Sequence, residues 1–191
     1  MSRSTPASRT IHLIRHGQST FNAHYEATGK DPIHFDARLT ELGHQQVAQA
    51  RERLAGAAYD VVIATPLTRA IQTAQGIFGT RTPIVISPLH REWLNSSCDV
   101  GRSVRELAAD FPTLDFAHLS DPWWHHLDPF NRHGFSPEPE HALLDRVGAF
   151  KEMIAARTEE RIAVVGHGDF FHRLIGRHLM NCELAPWNPD L

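Results

Sequence analysis

Twice in this chain an apolar run stops abruptly at a histidine followed by a glycine. Residues 11–14 (Ile-His-Leu-Ile) lead into Arg15-His16-Gly17, and residues 162–165 (Ile-Ala-Val-Val) lead through Gly166 into His167-Gly168-Asp169. Short apolar runs with polar and glycine-rich ends read as buried strands. In open α/β sheets, ligands sit beyond the carboxyl ends of the strands, so the two His-Gly ends read as two walls of one site. The first end delivers a guanidinium and an imidazole side by side, a pairing that is unfavourable unless an anion lies with them. Phosphate suits the place, because a guanidinium matches its oxygens two at a time. A glycine at that point lets the backbone come close to a ligand.

The segments between the two ends alternate between strand and helix patterns, which predicts a three-layer α/β/α sandwich around a largely parallel sheet. Val47, Ala50 and Leu54 mark a helix after Thr40. Residues 59–64 and 84–86 read as strands, with a helix between them carrying Ala70, Ala74, Ile77 and Phe78. Ser103 and Glu106 form a capping box ahead of a stripe of Val104, Leu107, Ala108 and Phe111. Leu143, Val147, Phe150 and Ile154 mark a helix before the second histidine strand, and Phe171, Leu174 and Ile175 one after it. These stripes are core. Trp187 covers either this core or a neighbour.

Residues 112–139 break the alternation. They hold five prolines, Trp123, Trp124 and several histidines without periodicity. Loops this long are usually lids, binding surfaces or linkers, and the aromatics argue for order. The segment is expected as an extended loop near the mouth of the site, with Trp123 and Trp124 either touching an organic substrate or anchoring the loop.

The chain has 191 residues, enough for one substantial core. It is expected as a single domain over residues 10–191 behind a disordered polar lead at residues 1–9. A net charge of −3 gives no pull toward nucleic acid or an anionic membrane, so any phosphate site is local. No run approaches the roughly 18 to 20 apolar residues of a membrane span. Two cysteines make no disulfide framework and no zinc spacing, and the cytoplasm is the expected compartment. His125, His126, His133 and His141 read as surface or rim residues, so no metal and no cofactor are expected. The oligomeric state stays open.

Four ordered blocks carry a family resemblance. Arg15-His16-Gly17 with Asn22, Leu39-Thr40-Glu41-Leu42-Gly43 with Gln45-Gln46, the run Thr65-Pro66-Leu67-Thr68-Arg69-Ala70 continuing to Ala74, and Val165-Gly166-His167-Gly168 together resemble the histidine phosphatase superfamily, the phosphoglycerate mutase-like fold. The resemblance implies that His16 is a nucleophile that carries a phosphoryl group. It places Arg15, Arg69 and His167 around that group, although Arg69 by itself reads as a helix-surface arginine. It places Glu92 as the acid that protonates the leaving oxygen, with Asp99 as rival and a surface pair with Arg91 as the plain alternative. Asn22 fits the family's phosphate-contacting amide or a simple turn, while Gly17 and Gly168 line the substrate. The surroundings of Glu92, with Arg91 before it and Ser97-Cys98-Asp99-Val100-Gly101-Arg102 after it, depart from the common mutase pattern. Arg91 and Arg102 read equally as substrate contacts or as structure, and Cys98 as a packed thiol. The implied activity is phosphohydrolysis of a small phosphomonoester. The alternatives are a sugar-phosphate mutase, a non-catalytic phospholigand binder and a phosphatase acting on phosphoproteins.

Overall fold

The computed structural model describes residues 9–189, and the expected lead at residues 1–8 lies outside them. Arg9, the last residue of that lead, is tied down: its guanidinium donates to the carbonyls of Ile154 (2.9 Å) and Arg157.

Five strands form one sheet in the order β3-β2-β4-β1-β5. They are β1 (Thr10–Arg15), β2 (Val61–Ala64), β3 (Ile84–Ile86), β4 (Arg161–Gly166) and β5 (Leu184–Trp187). The first four run parallel and β5 is antiparallel to β1. Side chains alternate between two cores, as the two-residue period of a strand requires. Ile14, Val62, Ala64, Ala163 and Val165 face one layer, and Ile11, Leu13, Val61, Ile63, Ile162 and Val164 face the other. The first layer is closed by α2 (Glu41–Arg53), α3 (Thr68–Phe78) and α4 (Val104–Asp110), through Val47, Ile71, Ala74, Ile77 and Leu107. The second is closed by α5 (Glu140–Ala155) and α6 (Gly168–Ile175), through Leu143, Phe150, Ile154, Phe170 and Phe171. The expected three-layer sandwich is therefore the architecture found. Among the described residues, no helix is long and apolar enough to cross a membrane.

Two elements were not read from the sequence. The short helix α1 (Thr20–Thr28) starts on a capping box between Ser19 and Asn22. Strand β5 has only four residues and includes Pro186, so it shows no strand periodicity. Proline survives there because β5 is an edge strand. Trp187 stacks on Phe150 at 5.8 Å and so covers its own core.

Residues 112–139 differ from expectation. Phe116 and Trp123 are buried in the first core, and Trp124 packs against it. Trp123 donates its indole N–H to the Arg102 carbonyl at 2.9 Å. Its ring occupies the space a side chain at Gly101 would need, since a Cβ there would lie 2.1 Å from it. The tryptophans anchor the loop. None of its residues is on the lining of the cleft that holds His16, but its end stands beside it, the Glu138 amide donating to the Leu94 carbonyl at 2.9 Å.

Candidate active site

The register of β1 on β4 pairs Thr10 with Arg161 and Arg15 with Gly166. The same offset separates His16 from His167, so the sheet itself sets the two histidines side by side. The His16 amide continues the ladder to the Gly166 carbonyl at 3.0 Å, and the two ring centroids are 5.2 Å apart.

His16 is almost fully buried. Its Nδ1 lies 2.7 Å from the Gly17 carbonyl. A carbonyl can only accept, so Nδ1 carries the ring proton and Nε2 keeps its lone pair. Arg69 donates its Nε–H to that lone pair at 3.2 Å. Burial holds the His16 pKa well below its ordinary 6.5, and Arg69 and Arg15 push it further down. His16 is thus a neutral imidazole whose one basic nitrogen, Nε2, accepts from Arg69.

Arg69 stands in the first turn of α3 and is fully buried, not a surface residue. Its other nitrogens donate to the Cys98 carbonyl (2.6 Å) and to Asp99 Oδ1 (2.8 Å). Both members of that ion pair are buried, so each needs the other. Of the five guanidinium N–H groups two remain for a ligand. Arg15 donates to the Leu179 carbonyl at 2.8 Å. Its Nε is buried without a partner among the described residues. Gly168 lies against this guanidinium, and a Cβ there would meet its carbon at 3.5 Å, an ordinary contact.

His167 is fully buried at the N-cap of α6, beside His16 but not itself on the lining of the cleft. Its Nε2 meets Thr65 Oγ1 at 2.7 Å, and its Nδ1 has no partner among the described residues. Burial, then Arg69 and His16, hold it well below its ordinary pKa.

Glu92 stands on the loop after β3. Its Oε1 accepts from the amides of Trp93 and Phe170, both at 3.0 Å, and its Oε2 accepts from the Asp169 amide at 3.1 Å. It therefore caps two of the orphan N–H groups that open α6. Burial pushes its pKa up from the ordinary 4.5 to about 7, and the charges of Asp99 and Asp169 add to the rise. Arg91 does not pair with it. Arg91 donates to the buried Glu138 at 2.8 Å. Arg146, from α5, forks onto the same carboxylate and also donates to the carbonyls of Leu89 (2.8 Å) and Arg91 (3.0 Å). Trp93 donates its indole N–H to the Glu138 carbonyl at 2.7 Å. Residues 89–93 are therefore suspended from one buried carboxylate at the end of the 112–139 segment.

Several sequence expectations take different places. Asp99, weighed as a rival acid, holds Arg69, and burial raises its pKa while that guanidinium opposes the rise. Arg102 pairs with Asp36 and Asp110 and braces the start of α3 through Thr68. Asn22 lines the cleft, but its side-chain oxygen caps α1 by accepting from Ser19. Gly17 does not line the cleft: its N–H goes to Thr73 at 3.1 Å, and a Cβ would sit 2.8 Å from the Gly43 carbonyl of α2. Its need for glycine is a helix contact. Cys98 is a buried free thiol with a pKa pushed well up, chiefly by burial. Among the described residues no cluster of three His, Cys, Asp or Glu side chains is placed to hold a metal. The cleft itself has a volume of about 250 Å³ and gathers Arg15, His16, Arg69, Glu92, Asp99 and Gly168, with Phe21, Tyr25, Asn95 and His178 also on its lining. The roles of Asp99, Thr65, Glu138 and Arg146 were not read from the sequence. Asp99 was visible only as a rival acid and Thr65 only as the first residue of the third motif block.

Comparison with known proteins bears on the family and the fold. The family model of the histidine phosphatase superfamily (branch 1) matches residues 11–189. A phosphoglycerate mutase-like protein of Arabidopsis thaliana is 32% identical, the match covering 92% of this chain and 82% of that protein. The alpha-ribazole phosphatase of Shigella flexneri superposes with a TM-score of 0.63 at 20% identity, covering 93% of this chain and 89% of the other. A mycobacterial glucosyl-3-phosphoglycerate phosphatase superposes at 0.59 with 18% identity, covering 94% and 90%. The two superpositions speak for the fold.

Proposed function

The chain belongs to the histidine phosphatase superfamily, and we propose that it hydrolyses a small phosphomonoester through a phosphohistidine on His16. One observation carries this reading: Nδ1 of His16 is tied to Gly17 as donor, so its neutral Nε2 stands as the one nucleophilic atom beside the Arg69 guanidinium.

In the first step the Arg69 Nε–H passes from Nε2 to a phosphoryl oxygen and frees the lone pair; Nε2 attacks phosphorus, the P–O ester bond breaks and the leaving oxygen takes the Glu92 proton. A carboxyl with a pKa near 7 suits proton transfer near neutrality. Arg15, the two spare N–H groups of Arg69 and Nδ1 of His167 surround the phosphoryl oxygens, and positioning and electrostatics supply most of the acceleration. When Thr65 donates its hydroxyl proton to Nε2 of His167, Nδ1 carries that ring's proton and donates to the phosphoryl group. In the second step Glu92, now ionised, takes a proton from water, the hydroxide oxygen bonds to phosphorus and the P–N bond breaks. His16 returns neutral and phosphate leaves. The two buried free cysteines fit a reducing compartment, which we read as the cytoplasm.

Phosphate release from a panel of phosphomonoesters, by wild type and by His16→Ala, tests the reading. Release that falls by about 10⁴-fold or more in the variant is expected. Equal release by both overturns His16 as nucleophile. Transfer to an isomerised product without phosphate release identifies a mutase instead.

A further inference from the structure

Resting on the hydrolase reading, we infer that the ester taken here carries one phosphate and no second anionic group, and that its leaving group lays a flat apolar face on Tyr25. The two guanidiniums of the cleft, Arg15 and Arg69, both stand beside His16. Arg69 is already half-committed to Asp99. Among the described residues the lining holds no other lysine or arginine. The phosphoryl group therefore uses all the fixed positive charge the cleft provides.

Beyond that end the lining turns acidic and aromatic. Asp169 is half-exposed at the rim, and its amide marks the start of α6 beside Glu92. His178 is the remaining cation-forming group of the rim, and its Nδ1 lies 4.0 Å from the Asp169 carboxylate. A second carboxylate or phosphate on the substrate would meet Asp169 with no guanidinium to offset it. Tyr25 is 51% exposed, and its ring lies stacked at 5.6 Å on Phe21, which is buried behind it. A ring fixed from behind and open in front is a platform for a flat group. Asn95 and Ser96 offer uncharged donors and acceptors on the same lining, suited to hydroxyl or amide substituents.

Benzyl phosphate, 4-carboxybenzyl phosphate and butyl phosphate separate these features, because their leaving oxygens are similarly basic. Benzyl phosphate is expected to exceed 4-carboxybenzyl phosphate by about tenfold or more in kcat/KM, the cost of an unpaired like charge. Asp169→Asn should narrow that gap. Tyr25→Ala should reduce the benzyl-to-butyl ratio by about fivefold, the scale of one aromatic contact. An equal or better rate with the carboxylate, or an unchanged ratio in Tyr25→Ala, overturns the inference while leaving the hydrolase reading intact. If none of the three esters turns over, the hydrolase reading fails for them, and calorimetric Kd values for the same esters on wild type decide the inference alone. The same rank order then supports it, and a tighter carboxylate or no order overturns it.

Discussion

The two ends of the cleft are built in opposite ways. The phosphoryl end rests on regular structure: His16 and His167 leave adjacent parallel strands in register, and Arg69 leaves the first turn of α3. The leaving-group end rests on irregular chain. Glu92 sits on a loop whose backbone hangs from Arg146, and Arg146 is fixed by Glu138 at the end of a long proline-rich segment. A strand ladder holds its residues through many shared backbone bonds, whereas the loop is held by side chains, Arg146 on its carbonyls, His90 on Val165 and Glu92 on the amides of α6. We therefore read the phosphoryl end as the robust, shared part of the chemistry and the acid end as the part that is separately adjustable.

The largest effect that sharpens this contrast comes from Glu92→Gln. On an alkyl phosphate, kcat/KM should fall by about 10³-fold, and on 4-nitrophenyl phosphate far less, because a good leaving group needs no proton and kcat/KM does not include the later attack of water. The same substitution has a stability consequence. The folded-state pKa of Glu92 is raised, so the folded chain holds its proton more tightly than the unfolded chain. That contribution is complete below about pH 4.5 and is lost as pH rises through about 7. A rise of this size is worth about 3 kcal/mol. Relative to wild type, Glu92→Gln should accordingly gain stability at pH 8 over pH 5 in denaturant titrations. A gain at pH 5 instead would contradict the burial of this carboxyl.

Removing the carboxylate that holds the acid end should break the comparison in stability. Glu138→Ala leaves two largely buried guanidiniums unpaired, a loss of about 3 kcal/mol in unfolding free energy. A change close to zero would mean that the loop is held otherwise. A milder substitution, Arg146→Lys, keeps the charge but loses the fork onto Glu138. In kcat/KM, alkyl phosphates should lose about tenfold through misplacement of Glu92, while 4-nitrophenyl phosphate changes little. Equal losses on both would make Arg146 merely structural. The smallest expected effect is a displacement of the pH profile. With wild type, kcat/KM on an alkyl ester should decline above about pH 7 as Glu92 ionises. Asp99 raises the Glu92 pKa by its charge, so Asp99→Asn should move that alkaline limb to lower pH. A limb that stays in place would remove Asp99 from the electrostatics of the acid.

The same contrast explains what the sequence made legible. The phosphoryl end announces itself, because a buried strand has a visible apolar run and the residue after it has a fixed place at the sheet edge. His16, Arg15 and His167 could be placed this way, and the motif block raised Arg69 from a surface arginine to the site. Glu92 came only from the family resemblance, since nothing periodic marks a loop. Glu138 and Arg146 carried no signal at all: their pairing with residues 89–93 is a tertiary contact between segments far apart in the chain. Asp99 was visible as an acid, yet its service to Arg69 depends on a single turn at Ser97–Asp99 that no apolar pattern encodes. For the 112–139 segment the sequence left Trp123 and Trp124 open between a substrate surface and an anchor, because an apolar ring without periodicity does not say what it packs on; Phe116 and Trp123 are core residues. β5 escaped notice because four residues and a proline leave no period to read.

The most direct test of the account is to trap the phosphorylated protein. Wild type is mixed with a ³²P-labelled ester, quenched in alkali within the first turnovers, digested and mapped. The account predicts an alkali-stable, acid-labile label on the peptide that contains His16, absent in His16→Ala. A label on another residue, or phosphate release without any labelled protein at any quench time, would contradict it.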